Sequence, residues 1–344
     1  MNGGCGCGNG GVTVKNGAVD SLTQLTLGAA VGEAVLGRRA GRKAAAWGAV
    51  CGTLPDLDTL YPFADAVAAF TWHRGYSHSL LALCLLAPLM AWLIVKIHPQ
   101  ERARLHRWLL LVLLALLTHI LLDCFTVYGT QIFLPFSDLP VAWSAVFIID
   151  PFYTVPLAAG VLCAVFFRRH RRWNFAGLTL SAVYLIAALA VKAQVDAAAE
   201  HNIAAQNIAA TKTLTTPAPF NIALWRVLVM EDGGYREGFY SLLDGDGGIR
   251  FSRHASDDRL LGGAGGEDFA RLRWFSRGFY KVWRDGDKII FSDLRMGMLE
   301  TYVFNFALAR AAAAEPVAQP ETPDGFFPWL ARRIFDSSAM PPQR

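Results

Sequence analysis

At 344 residues the chain has room for two domains, and with 53% hydrophobic against 17% charged residues it is too apolar for an ordinary soluble protein. The net charge is only +4, and no basic run is interleaved with aromatics in a polar stretch, which sets nucleic acid aside as a partner. The cysteines are few, and Cys51, Cys84, Cys124 and Cys163 lie in apolar surroundings, as small buried hydrophobes rather than a disulfide framework.

Residues 1–18 are rich in glycine and asparagine and lack the apolar core of a signal peptide. They are expected to form a disordered leader or to reflect a misassigned start. The organised chain begins at Asp20-Ser21-Leu22-Thr23-Gln24, where Asp20 or Ser21 can cap a helix over Leu22 to Leu36. Gly28, Ala29, Ala30, Gly32 and Ala34 give it a small-residue face suited to close helix contact in a membrane. Glu33, costly in lipid, must face protein or water. A second apolar run covers Ala44 to Leu54, and both runs are shorter than the ~20 residues a span needs. Spans are expected at Leu80 to Ile97, Trp108 to Leu122, from Asp150-Pro151 to Phe167, and Phe175 to Val191. The expected fold is an α-helical polytopic membrane bundle with about four full spans and two short N-terminal helices, occupying residues 19–192.

Charge orients the bundle. Lys/Arg cluster at Arg38-Arg39-Ala40-Gly41-Arg42-Lys43, at Lys96, Arg102, Arg104 and Arg107, and at Arg168-Arg169-His170-Arg171-Arg172. The alternating loops at 56–77 and 123–149 hold only Arg74. The positive-inside rule places the basic loops in the cytoplasm. Asp20, Asp56, Asp58, His73, His78, His119, Asp123 and Asp150 then all fall at the extracytoplasmic ends of their helices. One shared site is the economical explanation.

Beyond the last span, residues 193–219 read as a helical extension and then a linker. Residues 220–308 change to strand patterns: Trp225 to Met230, Tyr235 to Leu243, Ile249 to Ser252, a hairpin of Phe279 to Trp283 with Lys288 to Ser292, and Thr301 to Ala307. This predicts a small C-terminal antiparallel β domain outside the cytoplasm. The Gly262 to Gly266 run lacks the context of a phosphate loop and reads as a surface loop. Residues 309–344 are expected to be loose, apart from an amphipathic Phe326 to Phe335 patch that could touch the membrane.

His119 and Asp123 are four apart and share one helix face. His73 and His78 flank a turn at Gly75 that can aim both inward, and Ser77 or Ser79 can cap the next helix. Asp56 and Asp58 follow the helix-stopping Pro55. The expected metal ligands are His73, His78, His119 and Asp123, with Asp56 and Asp58 as further ligands or general bases. Arg74 would bind a substrate anion. Asp20, Glu33 and Asp150 would support the ligands or balance charge. Mixed imidazole and carboxylate donors suit a divalent metal, zinc first, with manganese or iron as alternatives, and so suit hydrolysis.

Together, Asp20-Ser21-Leu22-Thr23-Gln24, Gly52-Thr53-Leu54-Pro55-Asp56-Leu57-Asp58, His73-Arg74-Gly75-Tyr76-Ser77-His78-Ser79 and His119-Ile120-Leu121-Leu122-Asp123 resemble the YdjM-type family of bacterial inner-membrane proteins over roughly residues 19–192. The resemblance implies a membrane-bound metal-dependent hydrolase, and a LexA-binding one. Members begin at the D-S-L-T-Q motif directly after the initiator, a place Val19 takes here, hence the expectation of a misassigned start. Two functions follow as expectations. One is a multi-pass inner-membrane hydrolase acting on an ester or phosphoester, such as a membrane lipid, at the outer face. The other is a non-catalytic membrane regulator with a structural polar cluster, whose β domain binds a protein partner.

Overall fold

A computed structural model describes residues 17–167, 171–245, 248–262, 266–308 and 313–342. The N-terminal half is helical, and apolar runs of membrane length set its frame. Among the described residues, three helical segments are long and apolar enough to cross a membrane: α4 (Leu80–Ile97), the segment Pro99–Phe125 that contains α5 (Leu105–Phe125), and α7 (Arg172–Ala205). Their outer faces stay apolar where no protein covers them; Leu85 on α4 and Ile186 on α7 are each 68% exposed. The fourth expected span, α6 (Pro151–Phe166), has 16 residues, about 24 Å of helix against a hydrocarbon core of about 30 Å.

The first helix is longer than its apolar run suggests: α1 is Gly17–Ala40, 24 residues, and carries Arg38 and Arg39 in its last turn. It turns at Gly41, whose φ of 63° suits glycine, into α2 (Arg42–Thr53). The two helices press backbone to backbone, so a Cβ at Gly28 would lie 2.2 Å from the Gly48 carbonyl oxygen. That approach brings the C-terminal end of α2 against α5. Core packing between α4 and α5 comes from Leu83, Ala87, Ala91 and Ile94 against Trp108, Leu111 and Ala115.

Between α2 and α4 lie a 3-10 turn (Pro55–Leu60), the short α3 (Ala66–Trp72) and a second 3-10 turn (Tyr76–His78). Asp65 caps α3 by accepting from the Ala68 amide at 2.7 Å, and Ser79 caps α4 by accepting from the Ala82 amide at 3.1 Å.

At 34 residues, α7 is about 50 Å long and outruns any bilayer core. Its last turns, Val195, Ala199 and Ile203, pack on Trp225, Val227 and Tyr240 of the β domain. The expected helical extension is the end of α7, and the stretch expected after it as a linker holds strand β1 (Lys212–Pro217). One antiparallel sheet has the order β1-β2-β3-β4, with β2 Leu224–Glu231, β3 Gly234–Ser241 and β4 Phe251–Ala255. The other has the order β10-β9-β6-β5, with β5 Tyr280–Asp285, β6 Lys288–Asp293, β9 Asn305–Leu308 and β10 Glu315–Val317. The expected last strand is split, its start forming a two-stranded ribbon of β7 (Gly297–Met298) and β8 (Thr301–Tyr302).

Two helices complete the domain. Leu272 and Phe275 of α8 (Gly266–Phe275) pack on Tyr280, Val282 and Phe291, and the same cluster takes in Phe70 and Tyr128 of the bundle. The tail is ordered at α9 (Phe326–Arg333), where Phe326, Trp329 and Leu330 pack with Leu224 and Phe239, while Phe327 and Phe335 of the expected patch stay exposed. Within the expected Gly262 to Gly266 loop, residues 263–265 lie outside the described set.

Candidate metal centre

The loop ahead of α4 is organised by Asp58. Its Oδ1 accepts from His73 Nδ1 at 2.8 Å, while Oδ2 accepts from the Arg74 amide at 3.1 Å and the Ser77 hydroxyl at 2.6 Å. Burial raises the Asp58 carboxyl, but the hydrogen bonds and charge of His73, with Ser77 and the charge of His78, outweigh it and hold the group below the ordinary carboxylate range. The left-handed residue in this turn is Arg74, φ 61°, and not the glycine beside it.

Ser77 passes this order on. Its hydroxyl donates to Asp58, so it accepts from His78 Nδ1, 2.8 Å away. On α5, His119 Nδ1 lies 2.7 Å from the Gly52 carbonyl oxygen, which can only accept. Each imidazole therefore carries a proton on Nδ1 and turns Nε2 inward, where the neutral ring offers a bare lone pair to a cation.

The two Nε2 atoms meet 3.2 Å apart. His78 Nε2 is 3.4 Å from Asp56 Oδ1 and 3.2 Å from Asp123 Oδ2; His119 Nε2 is 3.5 Å and 3.3 Å from the same atoms. These separations are long for charge-assisted hydrogen bonds, which cluster at about 2.7–2.9 Å. These five separations are close to the edges of a tetrahedron, since an ion about 2.0–2.1 Å from its donors spaces them by roughly 3.3–3.4 Å, and all four atoms lie within 4.8 Å of one another. Asp56 Oδ1 and Asp123 Oδ2 are also buried without a hydrogen-bond partner, a costly state for acceptors unless a cation faces them. Asp56, His78, His119 and Asp123 thus form a group that could hold a metal ion.

The outer oxygen of Asp123 is held from behind. Oδ1 accepts from Gln24 Nε2 at 2.8 Å and lies 3.4 Å from Arg74 Nη2. Arg74 also donates to Thr126 Oγ1 at 3.0 Å and has its Cζ 5.3 Å from the centre of the Tyr128 ring. Tyr128 in turn meets the β domain: its carbonyl accepts from Arg295 Nη1 at 2.9 Å, and its ring packs edge-on to Phe275. On the neighbouring α3, Arg271 donates to Thr71 Oγ1 and stacks on Trp72. The β domain therefore sits at the same end of the bundle as the centre.

Of the expected ligands, the structure brings together His78, His119 and Asp123, and joins Asp56 to them. His73, expected as a ligand, is not in the group; its Nδ1 is bound to Asp58, and Asp58 itself faces the loop. Arg74, expected at a substrate anion, is 1% exposed, and its guanidinium lies behind Asp123. Glu33 stands nine residues along α1 from Gln24, roughly 13 Å away, and pairs with Arg171 at 3.2 Å. Asp150 lines a small cavity with Asp123, but its oxygens accept from the Phe152 amide and the Tyr184 hydroxyl. The side chain of Asp20 lies outside the described residues. Sequence reasoning gave no role to Gln24, Thr126 or the Gly52 carbonyl. The one legible hint was Gln24, an amide in a helix of small and apolar residues.

A helical bundle with three membrane-length segments, and a buried His/Asp group at one end, defines a polytopic membrane protein with a candidate metal centre. The chain belongs to the YdjM inner membrane protein family, whose model matches residues 19–195. It is also similar to the uncharacterized protein YfhP of Bacillus subtilis (strain 168), 33% identical over 107 residues, 31% of this chain and 32% of that protein. The chain thus spans about a third of that relative. No solved structure matches it.

Proposed function

We propose that the chain is a metal-dependent hydrolase of the inner membrane, acting on an ester or phosphoester at the extracytoplasmic face. The near-tetrahedral spacing of His78 Nε2, His119 Nε2, Asp56 Oδ1 and Asp123 Oδ2 carries this reading. Two neutral imidazoles and two carboxylates suit zinc first. A divalent ion held there would polarise the substrate oxygen and bring a water's pKa to about 7.

The chain's own groups divide the remaining work. His78, His119 and Asp123 are fixed by Ser77, Gly52 and Gln24. Asp56 is the group's most exposed member, its side chain 15% exposed; it would yield its position to the attacking water, leaving His78, His119 and Asp123 as ligands, and accept that water's proton. His73, its Nδ1 held by Asp58 and its side chain 22% exposed, would give a proton to the leaving oxygen. Arg74 balances the charge of Asp123. In this reading α6 completes a fourth crossing, and the positive-inside asymmetry puts the centre and the β domain outside the cytoplasm. A reporter fused after Val317 that reads cytoplasmic would overturn that sidedness.

The decisive experiment uses the full chain purified in neutral detergent. Metal content is measured by mass spectrometry, and hydrolysis of fluorogenic esters and phosphodiesters is followed with and without chelator. The expected result is about one zinc per chain, hydrolysis lost on chelation and restored by zinc, and a slower Asp56→Asn variant. A second reading, a structural metal in a non-catalytic regulator, draws on burial: His78, His119 and Asp123 are each at most 1% exposed, as in closed structural sites. Bound zinc without hydrolysis, and unfolding on chelation, would decide for it.

A further inference from the structure

The opposite end of the bundle carries a concentration of charge that the metal centre does not use. The turn between α1 and α2 and the ends of α6 and α7 enclose a cleft of about 400 Å³, within the size range of small-ligand sites. Arg38, Arg39, Arg42 and Arg171 line it, against one carboxylate, Glu33.

That carboxylate is already engaged. Glu33 Oε1 lies 3.2 Å from Arg171 Nε, and Arg171 Nη2 donates to the Glu33 carbonyl at 2.7 Å. The Glu33 side chain lies along its own helix over Gly37, where a Cβ would stand 2.0 Å from Oε2. Arg171 keeps Nη1 buried without a hydrogen-bond partner. Arg42 is held to the wall, its Nε donating to the Val165 carbonyl at 3.1 Å and its Cζ 5.9 Å from the centre of the Phe166 ring. Arg38 and Arg39 are exposed at the mouth. The cleft thus has a surplus of guanidinium, the group best matched to phosphate oxygens.

Its surroundings select among phosphates. Ala164 and Val165 form an apolar wall. Just beyond, Phe166 and Phe167 are each 63% exposed and Trp173 is 50% exposed. A phosphate in the cleft would have an open, lipid-facing surface beside it. We propose that this cleft binds the headgroup phosphate of an anionic phospholipid, with the acyl chains lying along the outside of α6. Basic pockets between membrane helices at the positively charged end are suited to such headgroups.

The test is native mass spectrometry of the full chain in neutral detergent, with phosphatidylglycerol, phosphatidylcholine or inorganic phosphate added. Retention of one phosphatidylglycerol per chain, with no phosphatidylcholine, is expected. Arg38→Gln with Arg42→Gln should weaken retention by about 25-fold, each juxtamembrane arginine contributing on the order of fivefold. Arg38→Lys with Arg42→Lys keeps the charge and should restore most of it. Unchanged metal content in both double variants shows that the bundle is intact; if the glutamine variant does not fold, the lysine variant and Arg39→Gln alone carry the comparison. Equal retention of the two lipids, or no effect of the arginine variants, overturns the proposal. Inorganic phosphate that displaces the lipid at equal concentration also overturns it, and marks a soluble-anion site instead.

Discussion

Both halves of the molecule bury charge, and they close it in opposite ways. In the β domain each buried arginine has a carboxylate and a carbonyl of its own. Arg226 pairs with Glu237 and donates to the Leu294 carbonyl; Arg295 pairs with Asp293 and donates to the Tyr128 carbonyl; Arg333 pairs with Asp244 and donates to the Phe239 carbonyl. At the end of the bundle, two imidazoles and two carboxylates converge with their bare acceptor atoms facing one another. A folded protein keeps like acceptors together only where a cation or a proton reconciles them. The β-domain pairs balance their charges among themselves, with Arg226 Nη2 the one nitrogen of these three arginines left buried without a hydrogen-bond partner; the bundle group is one that a cation could complete.

Removing a member of each set tests the contrast. His119→Ala should lower metal affinity by more than the 10–100-fold that outer partners control, read by metal content after dialysis against a graded chelator. If the variant keeps its metal, the tetrahedral reading fails. Arg226→Met should leave metal content unchanged and cost about 3–5 kcal/mol of stability, because Glu237 is stranded in the core. Chemical denaturation of the solubilised protein measures that cost, and metal loss in this variant would mean the two regions are not separable. Ser77→Ala comes next: it frees His78 Nδ1 from its partner and should weaken metal binding 10–100-fold while leaving the ligand set whole. An affinity equal to that of the parent would show that Asp58 does not act on His78 through Ser77.

Much of this contrast was legible in the chain, and the exceptions have physical causes. The four-residue spacing of His119 and Asp123 fixes them on one helix face whatever surrounds it, and Pro55 ends α2 where Asp56 is needed. The fate of His73 and His78 was not legible, because it depends on the backbone of the turn between them. The turn was expected at Gly75, and its left-handed residue is Arg74, whose buried guanidinium holds the strained residue in place. That turn sends His73 to Asp58 and only His78 to the group. The Gly52 carbonyl has no side-chain signal at all. In the β domain, β1 was hidden by its proline end and by adjacency to α7, and β10 by its length of three residues. The apolar face of α9 was read correctly as needing a partner, but hydrophobic periodicity does not say whether that partner is lipid or a sheet.

The smallest effect is expected at Asp150, and it sharpens the boundary of the centre. Asp150 has the residue type of a ligand and lines a cavity with Asp123. Its Oδ1, however, accepts from the Phe152 amide at 3.0 Å and its Oδ2 from the Tyr184 hydroxyl at 2.7 Å. Those bonds start α6 and tie it to α7, which is the work of a helix cap. Asp150→Ala should therefore cost about 1 kcal/mol of stability and leave metal affinity within about twofold, well short of the 10–100-fold of a partner in contact with the ligands. A loss on the scale of Ser77→Ala would move Asp150 into the centre and extend the site across the cavity toward α6. An unchanged affinity confines it to the four residues on the 3-10 turns and α5, where the only bare buried carboxylate oxygens among the described residues are those of Asp56 and Asp123.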